Sequence, residues 1–275
     1  MPAVGIGRRC EALGAVSRRI NAERFVVLGW SRAILLQLAH PLVAAGVADH
    51  SSFRSGGLSA VVRLHHTIRA MLALTFGDEA THRAAINGIR TIHRRVHGTL
   101  PAASGIFPAG TPYSAEDPAL VLWVHATLLE SIPMVYERLF GPLTIEERDQ
   151  YCEEAAPVAV ELGARDADIP RTWEALSDYL ARMYASGAIA VSGQAREVAA
   201  AVLKPPLPWA IAPVARVNRF VTVGLVPIHI RNQYGLSWSA HDDLRLSSVM
   251  HALARGRSVI PRHWALWPEA RPARA

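Results

Sequence analysis

The sequence predicts an all-α fold, and three observations carry that expectation. Apolar residues recur at three- and four-residue spacing in one stretch after another, and good capping residues stand where many of those stretches begin. No segment sustains the period-two alternation of a half-buried strand. With 275 residues the chain can bury a sizeable core, and 51% hydrophobic against 19% charged residues excludes disorder. One helical domain over residues 23–268 is expected, flanked by a basic segment at 1–22 and a tail at 269–275.

Taken in order, the basic segment is read as a short surface helix with Arg8, Arg9, Arg18 and Arg19 in solvent. Glu23 to Ala39 has the pattern of a buried helix that Pro41 ends or kinks, because proline lacks an N–H and disfavours helical geometry at His40 before it. A short helix then reaches Asp49. His40 and His50 bracket it and are read as hydrogen-bonded core residues rather than ligands. Two helices come next, about Leu58 to Leu74 and Asp78 to Val96, broken at Phe76-Gly77. Asp78 is the expected N-cap of the second and Gly98 its left-handed C-cap. So short a link sets the pair nearly antiparallel.

Residues 99–113 are too rich in proline and glycine for a long regular element. Ser114 to Asp117 resembles a capping box opening a strongly apolar helix, which Pro133 should kink. On that helix Trp123, His125 and Thr127 are expected to be core, with a satisfied histidine. Thr144 to Glu147 is a capping box for a helix to about Leu162, disturbed at Pro157. Asp168 is expected to cap a helix from Pro170 to Ala185, and Ser192 one from Gly193 to Leu203. Residues 204–227, apolar and punctuated by proline, should wrap the core. Residues 228–256 look helical, and 261–275 are expected to be extended and loosely held.

The formal charge of +6 and a pI of about 9.9 raise the question of nucleic acid. The arginines are spread along the chain with no basic stripe, so nucleic-acid binding is not expected. Among 29 basic residues only Lys204 is a lysine, a skew that resembles genome composition more than function. Cys10 and Cys152 are too few for a disulfide framework or a cysteine-based metal site. The first twenty residues lack the apolar region of a secretion signal, and the run Ala33 to Val47 is too short and too polar to cross a bilayer. A soluble, cytoplasmic protein is expected, with surface contact to membrane left open.

Several chemistries are missing. The chain has no glycine-rich phosphate loop, no G-x-S-x-G elbow, no H-E-x-x-H and no dinucleotide fingerprint. Glu79-x-x-His82 is half of a di-iron motif, and His93 with His97 could share a zinc ion but has no third ligand at a telling spacing. Residues 58–98 hold five of the twelve histidines. Arg63, His66 and Thr67 fall on one side of the first helix, while Ile86, Ile89, His93 and Val96 share a face of the second. An apolar-flanked histidine opposite a polar trio meets the modest demands of a haem site: one neutral imidazole, apolar walls and a few polar groups.

A resemblance sharpens this reading. The series Arg32 to Pro41, Gly46 to Ser51, Arg63-x-x-x-Thr67, Phe76-Gly-Asp78, His93-x-x-Val-x-Gly98, Tyr113-x-Ala-x-Asp-Pro118 and Leu122 to His125 resembles the MpaB-type oxygenase family, of which rubber oxygenases (latex clearing proteins) are distant members. It runs from about residue 24 to 268 and includes Arg216, Arg219 and the 231–238 region. The resemblance implies an all-helical fold with a globin-like core around a b-type haem, and dioxygen-dependent attack on an apolar, unsaturated, isoprenoid-like substrate. It makes His93 the proximal iron ligand and Arg63 and Thr67 distal-pocket residues. Where rubber enzymes carry a distal lysine this chain has His66, a candidate for the sixth iron position. No general base is assigned; near the rubber enzymes' catalytic glutamate the chain offers only Asp49 and His50. The alternatives are a non-catalytic carrier of haem or a hydrophobic ligand on the same scaffold, and a helical interaction module with no cofactor.

Overall fold

The computed structural model describes residues 14–50, 58–205 and 212–271, with backbone only over 58–65. The fold is all-α. Its centre is α6 (Pro118–Phe140), which packs against α2 (Val27–Leu38), α7 (Ile145–Leu162), α8 (Trp173–Ala185) and α12 (Ala240–Val259). By length and composition α6 could cross a membrane, but 61% of its apolar window is buried inside the protein, as befits a core helix. Contact between α2 and α6 is closest at Gly29, where a Cβ would stand 2.6 Å from the Ser131 carbonyl oxygen. One turn further, Arg32 is 1% exposed. Its Nε donates to the Leu225 carbonyl at 2.8 Å and its Nη1 to Ser131 Oγ at 2.6 Å. Glu130 Oε2 lies 2.8 Å from that Nη1, near enough to pair with its charge although not aligned for a hydrogen bond. The arginine of the Arg32–Pro41 motif is therefore a pin between α2, α6 and α10 (Ala212–Leu225).

Pro41 acts as the sequence predicts. Helix α2 stops at Leu38, and α3 (Pro41–His50) starts with the proline in its first turn, at 103° to the helical run Arg24–Leu38. Helices α4 (Leu58–Phe76) and α5 (Glu79–His93) pack together as expected, and Asp78 Oδ1 caps α5 by accepting from the Thr81 N–H at 2.8 Å. Helix α5, however, ends at His93 rather than Val96. Gly98 is no C-cap: it lies in β1 (His97–Thr99), paired antiparallel with β2 (Pro112–Ser114) in the register Gly98 to Tyr113. The expected loop thus contains a small ribbon.

Other boundaries moved for local reasons. Asp117, not Ser114, caps α6 by accepting from the Ala119 N–H, and α6 runs on past Pro133 to Phe140. The capping box at Thr144 forms and α7 ends at Leu162, as expected. A 3-10 turn occupies Asp166–Asp168, so the cap of α8 is Thr172. Ser192 caps α9 (Gly193–Leu203) as predicted. The proline-punctuated stretch contains a regular helix, α10; residues 206–211 lie outside the described part. Gly235, at φ +68, breaks the expected 228–256 helix into α11 (Ile228–Gln233) and α12. As far as Arg271 the tail is not loose: it forms α13 (Arg262–Ala265), Trp267 N–H bonds to the Ala22 carbonyl at 3.0 Å, and the Trp267 ring stacks on Trp30, while residues 272–275 lie outside the described part. In the N-terminal segment α1 (Ala15–Asn21) is helical, and residues 1–13 lie outside the described part.

Candidate functional site

A cavity of about 450 Å³ runs along α6, enclosed by α2 and α3 on one side and by α4, α5 and α7 on the other. That volume lies within the range of small-molecule and cofactor pockets. Its walls are mainly apolar, with Ile34, Met71, Ile89, Val124, Leu128 and Val158 among them, and no Lys, Arg, Asp or Glu lines it among the described residues. Ile92 belongs to the wall and is 63% exposed, which marks an opening beside α5.

His93, the last residue of α5, lines the cavity. Burial lowers its pKa and the Glu116 carboxylate opposes the shift only in part, so the ring is held neutral. Its Nδ1 is buried without a hydrogen-bond partner. Val96, one turn on, also faces the cavity, and its carbonyl accepts from the Ala115 N–H at 2.9 Å. Gly98 passes under the Tyr113 ring, and Gly46 on α3 packs against Val96 and Tyr113. The Tyr113 hydroxyl donates to Asp49 Oδ2 at 2.6 Å, closing α3 over the ribbon; burial and that carboxylate push the phenol's pKa upward.

The other expected site residues divide. Thr67, itself exposed, lines the cavity with His93. His66 is exposed and is not among the lining residues. The side chain of Arg63 lies outside the described part. His50 reaches the cavity wall while its Nε2 stands 3.0 Å from the His97 carbonyl oxygen. His40 is buried against Phe107, away from the cavity, but its Nδ1 lacks the hydrogen bond that was expected, and burial lowers its pKa to about 4. His82 is structural: its ring nitrogens lie 3.1 Å from the Leu74 carbonyl and 2.7 Å from Glu161, tying α5 to α4 and α7. Neither metal alternative finds its ligands, since no group of three or more His, Cys, Asp or Glu is gathered among the described residues.

Sequence reasoning misjudged His125. It was expected to be a satisfied core histidine, yet it lines the cavity, its Nε2 has no partner, and burial lowers its pKa to about 4. Gln37, Ser17, Trp30 and Tyr113 are further polar members of the wall that spacing alone did not single out.

Residues 17–255 match the family described as "ER-bound oxygenase mpaB/B'/Rubber oxygenase, catalytic domain". The chain belongs to this family. The oxygenase domain so defined takes in α1 to α11 and most of α12, hence the whole described wall of the cavity. Two uncharacterized proteins, from Mycobacterium tuberculosis and Mycobacterium bovis, are each 29% identical over 237 residues, covering 84% of this chain and 89% of theirs. No solved structure matches.

Proposed function

We propose that the cavity is the site of a b-type haem, whose iron His93 would hold, and that the protein is a dioxygen-using oxygenase of an apolar, unsaturated, isoprenoid-like substrate. Membership of the oxygenase family supports the reaction class. The observation that carries the cofactor is the placement of His93: a neutral imidazole on the wall of an apolar cavity, with a buried nitrogen that no protein group satisfies. Neutral imidazole is the form that ligates iron. Bound haem would supply the oxygen chemistry, which belongs to the cofactor rather than to the fold.

The chain's own residues then have definite tasks. Ile89 and Val96 flank His93 and keep water from its ring. Thr67 offers a hydroxyl from α4, and Arg63, four residues earlier, joins it in this reading as the second distal group, as the family motif implies. His66, turned to the surface, is not assigned a role at the iron. The apolar walls favour a hydrocarbon substrate over a charged one.

The test is the visible absorption of the purified protein, wild type and His93→Ala, before and after haem is added. The expected result is a Soret band in the wild type that the variant loses, together with oxygen uptake when an isoprenoid is supplied. A wild type that stays colourless with added haem overturns the proposal. A Soret band without oxygen uptake across isoprenoid substrates favours the carrier instead.

A further inference from the structure

Buried polar groups almost always find a partner, so orphans clustered in one place need a cause. Of the eleven such atoms among the described residues, four line this one cavity: Ser17 Oγ, Trp30 Nε1, His93 Nδ1 and His125 Nε2. They are not evenly placed. Leu120 and Ile132 both line the cavity, and twelve residues of helix separate them, about 18 Å at the helical rise. His93 sits at the end near the start of α6, where Ala115 bonds back to Val96. Ser17 and Trp30 sit at the other end: Trp30 comes directly after Gly29, which packs on Ser131 and Ile132, and Ser17 on α1 bonds through its N–H to Glu154 of α7. His125 lies between.

The far end therefore presents two buried, unpartnered donors, Ser17 and Trp30, beside Asn21 and Tyr151, which bond to one another. Ser17 is 1% exposed and Trp30 6%. An indole N–H only donates and a serine hydroxyl donates or accepts, so together they suit an oxygen with lone pairs. With no Lys or Arg in the described wall and Arg63 assigned to the haem site, a carboxylate or a diphosphate at the Ser17 end would be buried without a counter-charge. We infer that the end of the cavity formed by Ser17 and Trp30 binds a neutral hydroxyl or carbonyl group at the terminus of a linear isoprenoid chain, whose apolar length lies along α6 towards His93. The inference deepens the oxygenase reading and rests on it for the chemistry at the His93 end. A head group fixed at one end would decide which double bond along the chain is presented at the other.

Equilibrium dialysis tests the binding half without reference to haem. The probes are radiolabelled farnesol, the hydrocarbon farnesene and farnesyl diphosphate, measured on the full chain as purified. The wild type should hold farnesol about five- to tenfold more tightly than farnesene, the worth of one or two buried neutral hydrogen bonds, and farnesyl diphosphate most weakly. Ser17→Ala, and the double variant Ser17→Ala with Trp30→Phe, should lose that preference while farnesene affinity stays within about twofold, because shape is nearly kept. Equal wild-type affinity for farnesol and farnesene overturns the inference, as does a preference that survives in Ser17→Ala and in a double variant whose circular dichroism matches the wild type. A missing Soret band would instead strike the haem proposal and leave this comparison readable.

Discussion

The hydroxyl of Tyr113 lies over the backbone of Gly98 so closely that a Cβ added there would be 2.6 Å from the oxygen and 2.8 Å from the ring carbon that bears it. The two residues are also register partners in the ribbon. This is the physical content of the glycine in His93-x-x-Val-x-Gly98: it admits an aromatic ring against the ribbon that follows α5. Gly98→Ala must push the ribbon apart, and overpacking of this kind costs about 1–3 kcal/mol. Urea denaturation should show a lower midpoint at an unchanged slope. A variant as stable as the wild type would mean the ribbon yields freely.

Tyr113→Phe keeps the ring and deletes the hydroxyl bond to Asp49, which Gln194 also approaches at 3.3 Å. A hydrogen bond to a charged acceptor is worth about 1.5–3 kcal/mol. Because Gln194 still approaches the freed carboxylate, the lower end of that range is expected in thermal or urea unfolding. If Tyr113→Phe is neutral, Asp49 is held from elsewhere and α3 closes over the ribbon by packing alone.

Arg32→Lys is expected to be severe despite the retained charge. The guanidinium uses separate nitrogens for the Leu225 carbonyl and for Ser131, and a single ammonium cannot reproduce that fork. Breaking a buried pair leaves Glu130 uncompensated, at about 3–5 kcal/mol for full removal as in Arg32→Ala. Soluble yield and melting temperature of the two variants check this. Near wild-type stability in Arg32→Ala would show that α2, α6 and α10 are held by apolar contact alone.

What the sequence disclosed depended on whether the deciding force was local. Asp78, Thr144 and Ser192 were readable because each cap acts on N–H groups within three residues, and Pro41 because its restriction acts on its neighbour. The ribbon was not readable: three residues a side carry no period, and its pairing is paid for by Tyr113 and Asp49 across the fold. The tail misled because Trp267 finds Trp30, more than two hundred residues away. In the site, His93 and Thr67 stood out by spacing and resemblance, and both reach the cavity wall. His125 did not stand out, since apolar neighbours in sequence describe a core histidine and a cavity-lining one equally well. Only its place on the cavity wall separates the two cases, and that is a fact of three dimensions.

Those buried histidines also set how the fold meets acid. Burial lowers His40 and His125 from 6.5 to about 4, with Asp117 resisting the shift only at His40. In both, the unfolded chain takes up its proton first, at the higher pKa. Above pH 6.5 neither state carries the proton and the contribution to stability is complete; as pH falls from 6.5 towards 4 the unfolded state alone gains it, and stability drops. Between pH 7 and pH 5 this amounts to about 2 kcal/mol for each histidine. Urea midpoints measured across that interval should therefore fall, and His125→Phe should fall less steeply than the wild type by one histidine's share. His93, lowered in the same direction by the same cause, adds to the slope in the haem-free protein. Iron binding should steepen the loss further, because the metal competes with that proton for the neutral ring and protects only the folded state. A flat profile in the wild type would show that these imidazoles find a hydrogen-bond acceptor or water on acidification, and that the cavity around His125 is not dry.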